Sequence, residues 1–105
     1  MYEQNQTFVA DSFLALYVVH GRPVLSRQAI EARYETCEDL ALQVAEFCKT
    51  LQFSQDLSEA DALRRCHQGL LEPPASISRD EAGWVIRRVA ELLSWPDPAW
   101  VDDAG

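Results

Sequence analysis

The sequence predicts an all-α protein, a small bundle of about four helices in one domain. Three observations carry this. From Ser26 to Phe53 no Gly or Pro interrupts the chain, and apolar residues recur in steps of three and four, the period of a helix with one buried stripe. Two further amphipathic segments, 59–71 and 79–94, each follow a serine placed to cap a helix. All five prolines fall outside these three stretches, as helix interiors require.

Taken in order, residues 1–10 read as a flexible N-terminal arm. Asp11 or Ser12 then caps a short apolar element, SFLALYVV. Its residues are apolar nearly all round, which suits burial on several sides and leaves helix and strand hard to separate. Leu and Ala in its middle favour helix, with an extended end at Val18–Val19. His20-Gly21-Arg22-Pro23 is a turn, where Gly supplies a left-handed stop and Pro prevents continuation.

Ser26 caps the long central helix, predicted over 27–52. Its apolar positions are Ile30, Tyr34, Cys37, Leu40, Ala41, Val44, Phe47, Cys48 and Leu51. Arg33 and the carboxylates between them face water on this reading. Twenty-five residues at about 1.5 Å each span roughly 37 Å, so this helix crosses the whole domain. Its stripe needs partners, because isolated helices are marginal in water. Ser58 opens the third helix, whose stripe is Ala62, Leu63, Cys66, Leu70 and Leu71, and Pro73-Pro74 ends it. Ser78-Arg79-Asp80-Glu81 is the best capping box in the chain. It starts a fourth helix with Ala82, Val85, Ile86, Val89, Leu92 and Leu93 on one face. Residues 11–95 thus form a single helical domain. Residues 96–105 are an acidic, Pro-interrupted tail, and the termini are expected to be partly disordered, with Trp100 and Val101 docked loosely or free.

Composition narrows the function. Hydrophobic residues make up 48% and charged residues 25% of the 105, ordinary values for a soluble globular domain. The formal net charge is −8, which opposes broad binding to nucleic-acid phosphates. No run approaches the roughly 18–20 apolar residues of a membrane span. Met1 leads into polar residues, without the basic and apolar regions of a secretory signal. Cys37, Cys48 and Cys66 are an odd number with no close pair in sequence, not a disulfide framework. These features together suggest the cytoplasm.

The usual chemical signatures are missing. There is no GxxxxGK[ST] and no GxGxxG among four scattered glycines. A di-metal carboxylate bundle needs Glu-x-x-His pairs, and neither His20 nor His67 has a Glu three positions before it. Cys66 and His67 point about 100° apart on a helix, and Cys37 and Cys48 lie some 16 Å apart along one. Cys66 with Cys37 or Cys48 and a histidine stays geometrically open, but small buried apolar residues are the simpler reading of all three. A helix–turn–helix reader is opposed by Pro73, Pro74 and the length of the connection. The sequence therefore predicts no enzyme, no cofactor and no metal site.

Two surfaces remain as candidates for binding. Glu31, Glu35, Glu38 and Asp39 form an acidic ridge on the long helix, readable as a solvated face or as a docking surface. Arg79, Arg87 and Arg88 accompany Trp84 on the fourth helix, and a Trp beside Arg often anchors an interface. Trp84 packing beneath the N-terminal arm is the structural alternative.

Several stretches occur together: SFLALY at 12–17, RYE at 33–35 with CEDL at 37–40, EAD at 59–61, CHQGLL at 66–71 and GWV at 83–85. In this combination the chain resembles a group of small proteobacterial proteins that sometimes carry the label "ATPase with chaperone activity". Without a phosphate loop, the role this resemblance implies is accessory to an ATPase. The expected function is a small cytoplasmic protein–protein interaction or adaptor module, its partner another protein or a second copy of the chain. The alternatives are an acidic inhibitor that mimics the charge of DNA toward a nucleic-acid enzyme, and a Cys/His metal-binding protein.

Overall fold

A computed structural model describes the backbone of residues 8–103 and the side chains of residues 8–101. Residues 1–7 of the expected arm and the last two residues of the tail lie outside the described part. The elements are α1 (Asp11–Leu14), a 3-10 turn (Ala15–Tyr17), β1 (Val18–Val19), β2 (Arg22–Pro23), α2 (Arg27–Ser54), α3 (Glu59–Leu71), α4 (Arg79–Leu93) and α5 (Trp100–Asp103). The fold is a small helical bundle. Helices α2, α3 and α4 each pack against the other two, and the shorter elements close over their ends.

The caps act as the sequence predicts. The hydroxyls of Ser26, Ser58 and Ser78 accept from the backbone N–H of Ala29, Asp61 and Glu81. Each satisfies one donor that a first helical turn leaves without a partner. At Ser78 the box is complete, because the Glu81 carboxylate returns to the Ser78 N–H. Helix α4 stops at Ser94, which takes a left-handed conformation at φ 58°, and the Trp95 N–H then reaches the Ala90 carbonyl.

The first apolar run divides where its helical character gives out. Its α-helix lasts four residues, and Val18–Val19 pair antiparallel with Arg22–Pro23. His20 (φ 52°) and Gly21 (φ 78°) are both left-handed, the backbone of a two-residue hairpin turn. The cap of α1 is Ala10, with no side-chain cap bond. Neither Asp11 nor Ser12 caps it, because Ser12 is already within the helix.

The core of α2 is narrower than its sequence stripe. Ile30, Cys37, Ala41, Ala45 and Cys48 are buried, while Phe47 is 61% exposed. Phe47 lies about 100° of rotation from Cys48, which carries it off the edge of the buried face, and small Ala45 takes the contact with the neighbouring helices. Leu42, Phe53, Val18, Val19, Val24 and Leu25 are also exposed.

The C-terminal segment is seated. Val101 and Pro98 are buried, and the Arg64 guanidinium lies 5.0 Å from the Trp100 ring centre. His67 is buried and meets the edge of Trp100 at 5.7 Å. Its pKa is lowered by burial and by the nearby Arg79 charge. Gly83 makes this docking possible: a Cβ there would lie 2.9 Å from Val101 Cγ1.

That contact sets two opposed effects against each other. Alanine in a helix interior gains about 1 kcal/mol over glycine, whereas overpacking costs about 1–3 kcal/mol. Gly83→Ala should therefore lower stability by roughly 1 kcal/mol in urea unfolding. In a Val101→Ala background the same change should stabilise by about 0.5–1 kcal/mol. The same sign in both backgrounds would contradict this packing.

Candidate interaction groove

The candidate site begins with a buried charge. Glu81, in the first turn of α4, is 3% exposed. Its Oε1 accepts from Arg33 Nη2 (2.7 Å) and the Ser78 N–H (2.8 Å). Its Oε2 accepts from Arg33 Nε (2.9 Å) and the Tyr17 hydroxyl. Arg33 Nη2 also donates to the Ser76 carbonyl at 3.3 Å. Arg33 thus turns inward to α4, not outward to water as its place between the apolar residues suggested. A buried carboxylate needs this many donors, since an unpaired one would not stay charged.

Burial alone would raise the Glu81 pKa, but the hydrogen bonds from Arg33, Tyr17 and Ser78 outweigh it and hold the carboxyl at about 2. Burial and the Glu81 carboxylate push the Tyr17 phenol up. The network joins three parts of the chain: the end of the N-terminal turn, the first third of α2, and the start of α4.

Above it lies an aromatic layer. Phe13 is fully buried, and its ring meets Trp84 at 5.0 Å, Tyr34 at 5.3 Å and Tyr17 at 5.4 Å. Trp84 and Tyr34 are 5.7 Å apart and meet edge to face. Trp84 Nε1 donates to the Ser12 hydroxyl at 2.9 Å, which ties α4 to α1. Trp84 accordingly packs beneath the N-terminal segment. Phe8 rests on the edge of Tyr34 at 6.3 Å and is itself 74% exposed.

Phe8, Tyr34 and Trp84 floor a groove of about 390 Å³, lined also by Ala10, Ser12, Glu38, Arg87, Arg88, Glu91 and Asp97. Tyr34 donates to Glu38 Oε2 (2.8 Å), Arg88 Nε donates to Glu38 Oε1 (3.1 Å), and Arg88 Nη1 donates to Glu91 Oε1 (3.1 Å). Burial and the Glu38 carboxylate raise the Tyr34 pKa, and the Glu38 hydrogen bond raises that of Arg88. Arg87 lies 4.0 Å from Asp97. The rim carries three carboxylates and two guanidiniums, so its net sign is negative. An aromatic floor inside a negative rim suits a cationic side chain.

Of the eight predicted surface residues, Glu38, Trp84, Arg87 and Arg88 meet here. The acidic ridge on α2 does not stay together. Glu31 pairs with Arg27 at 3.0 Å on its own helix, Glu38 turns to α4, and Glu35 and Asp39 stay exposed. Arg79 opens α4, away from the groove lining. Sequence reasoning missed Phe8, Ser12, Tyr34, Glu91 and Asp97. Glu91 had a readable signal, three residues after Arg88 on one helix. The others are brought in by the tertiary fold. His20 sits in the exposed hairpin turn, far along the chain from the buried His67. Cys48 on α2 and Cys66 on α3 are both buried in the core, as is Cys37. Among the described residues no three metal-binding side chains gather, and no helix is long and apolar enough to cross a membrane.

The chain matches no protein-family model, and no curated protein or solved structure is similar to it at a significant level.

Glu81 should dominate the acid limb of stability. Its folded pKa, about 2, lies below its ordinary 4.5, so its contribution is full above the unfolded value and is lost as pH falls through the folded one. Unfolding free energy should decline between about pH 4.5 and 2. Glu81→Gln should cost about 3 kcal/mol near neutral pH and flatten that decline. An unchanged acid limb in urea titrations of the variant would count against the assignment.

Proposed function

We propose that the chain is a non-catalytic protein–protein interaction module that takes a cationic segment of a partner protein into the groove between the N-terminal segment, α2 and α4. The observation that carries this is the floor of Phe8, Tyr34 and Trp84 bounded by Glu38, Glu91 and Asp97. A Lys or Arg side chain over such rings gains about 0.5–2 kcal/mol, and nearby carboxylates add to it. The charge of −8 supports the same choice, because it steers a basic partner toward the chain and repels an acidic one. Three free cysteines suit action in the reducing cytoplasm.

The exposed Glu35 and Asp39 support a second reading, in which the acidic outer face of α2 occupies a basic nucleic-acid enzyme as DNA would. The two readings use different residues and are separable.

Peptide binding followed by Trp fluorescence and calorimetry tests both. Short peptides carrying Arg or Lys beside an apolar residue should bind, and acidic peptides of the same length should not. Affinity should fall as salt rises. Phe8→Ala should weaken binding about fivefold, and Glu91→Lys about tenfold, while Glu35→Lys with Asp39→Lys changes it little. Equal binding of acidic and basic peptides would contradict the groove reading. Loss confined to the Glu35 and Asp39 pair would favour the charge mimic.

A further inference from the structure

The hairpin after the first helix carries the charge that the groove lacks. Between Asp11 and Glu31 the chain holds no carboxylate, although 17 occur in the whole sequence. Arg22, in β2, is exposed, and among the described residues it meets no hydrogen-bond or ion-pair partner. Arg27, Arg33, Lys49, Arg64, Arg87 and Arg88 each pair with a carboxylate. Val19 stands directly across the strand pair from Arg22, so the two side chains share a face. Val18, Val19, Val24 and Leu25, in and just after the hairpin, are also exposed. We propose, resting on the cation-binding role given to the groove, that its occupant is this hairpin from a second copy of the chain.

The hairpin supplies what the groove would hold, an arginine beside an apolar residue. The flat Arg22 guanidinium stacks on the floor of Tyr34 and Trp84, and its N–H groups turn to the exposed carboxylates of Glu91 and Asp97. Val19 covers the open Phe8 ring. The tip is built in advance: His20 and Gly21 hold the left-handed turn, and the Val24 N–H donates to the Tyr17 carbonyl at 2.8 Å. Little freedom is lost when so fixed a tip docks. Within one copy the hairpin lines no part of the groove, so the contact joins two copies, head to tail.

The overall charge of −8 opposes self-association but does not prevent it. Repulsion between exposed charges is largely screened beyond about 8 Å at physiological salt, whereas the hairpin brings only positive charge to the short-range contact. The repulsion keeps the association weak and dependent on concentration.

Sedimentation of the full chain over rising concentration, at about 0.15 M salt, tests this. The average mass should climb above 11.9 kDa. Arg22→Glu and Glu91→Lys should each weaken the association at least about tenfold. Both residues are exposed, and unchanged circular dichroism and urea unfolding check that the variants fold. An equal mixture of the two variants should form a one-to-one complex and grow no further, since one supplies the groove and the other the hairpin. A wild type that stays monomeric, equal self-association in Arg22→Glu, or a mixture that stays monomeric would each overturn the proposal. Basic peptides that bind a chain which never self-associates would remove the self-contact alone. Failure of both peptide binding and self-association would remove the cation-binding role of the groove as well.

Discussion

One buried carboxylate holds the two halves of this molecule in register. Glu81 accepts from Arg33 on α2, from Tyr17 at the end of the N-terminal turn, and from the backbone of its own capping box. Each donor comes from a different stretch of chain. A charge with only 3% exposure is tolerable only when all of these are in place. The angle between α2 and α4, and the seat of the first helix on both, follow from satisfying it. The apolar contacts around it are larger in total but less directional. Phe13 can pack in several ways against rings, whereas the fork of Arg33 fits Glu81 in few.

The groove depends on that fastening. One wall, Ala10 and Ser12, and the Phe8 ring of its floor come from the N-terminal segment, whose α-helix is only four residues long. So short a helix has no stability of its own. It is held by the Tyr17 hydroxyl at one end, by Trp84 on Ser12, and by Phe13 buried between the rings. The opposite rim is fixed by Arg88, which Glu38 and Glu91 hold from two helices. A charged pair at a half-exposed rim adds little stability, but it fixes where the charges stand. The groove is thus a consequence of how the N-terminal segment is tied down.

Much of the bundle was legible in the sequence. Helices α2, α3 and α4 announce themselves through a period near 3.6 and a serine at each start, and their observed bounds lie within two residues of the sequence reading. The first run was less legible, because a stretch apolar on all sides carries no period. Its hairpin hid behind His20-Gly21, a turn pair less telling than Asn-Gly. Phe47 and Phe53 show a different limit. Hydrophobicity places them in a stripe, but only the partners decide how wide the buried face becomes, and α3 and α4 cover only the strip from Ile30 through Ala45 and Cys48.

The candidate site was legible by half. Arg87, Arg88 and Trp84 drew attention as a local group on one helix. Glu38 was read with its neighbours as a ridge, and its pairing across to α4 spans 50 residues of sequence, beyond any local pattern. Arg33 and Glu81, 48 residues apart, were unreadable as a pair for the same reason. The capping box explained Glu81 so well that nothing in the sequence asked for a second role.

The central claim is that the Tyr17–Glu81–Arg33 network, and not apolar packing alone, fastens the N-terminal segment over α2 and α4. Native-state hydrogen exchange on Tyr17→Phe measures this most directly, since the substitution removes one hydroxyl and leaves the ring. The account predicts faster exchange at the α1 and hairpin amides, at least about fivefold for a lost hydrogen bond of roughly 1 kcal/mol or more, with the amides of α3 unchanged. Unaltered exchange in α1 and the hairpin, or an equal loss of protection throughout the bundle, would contradict it.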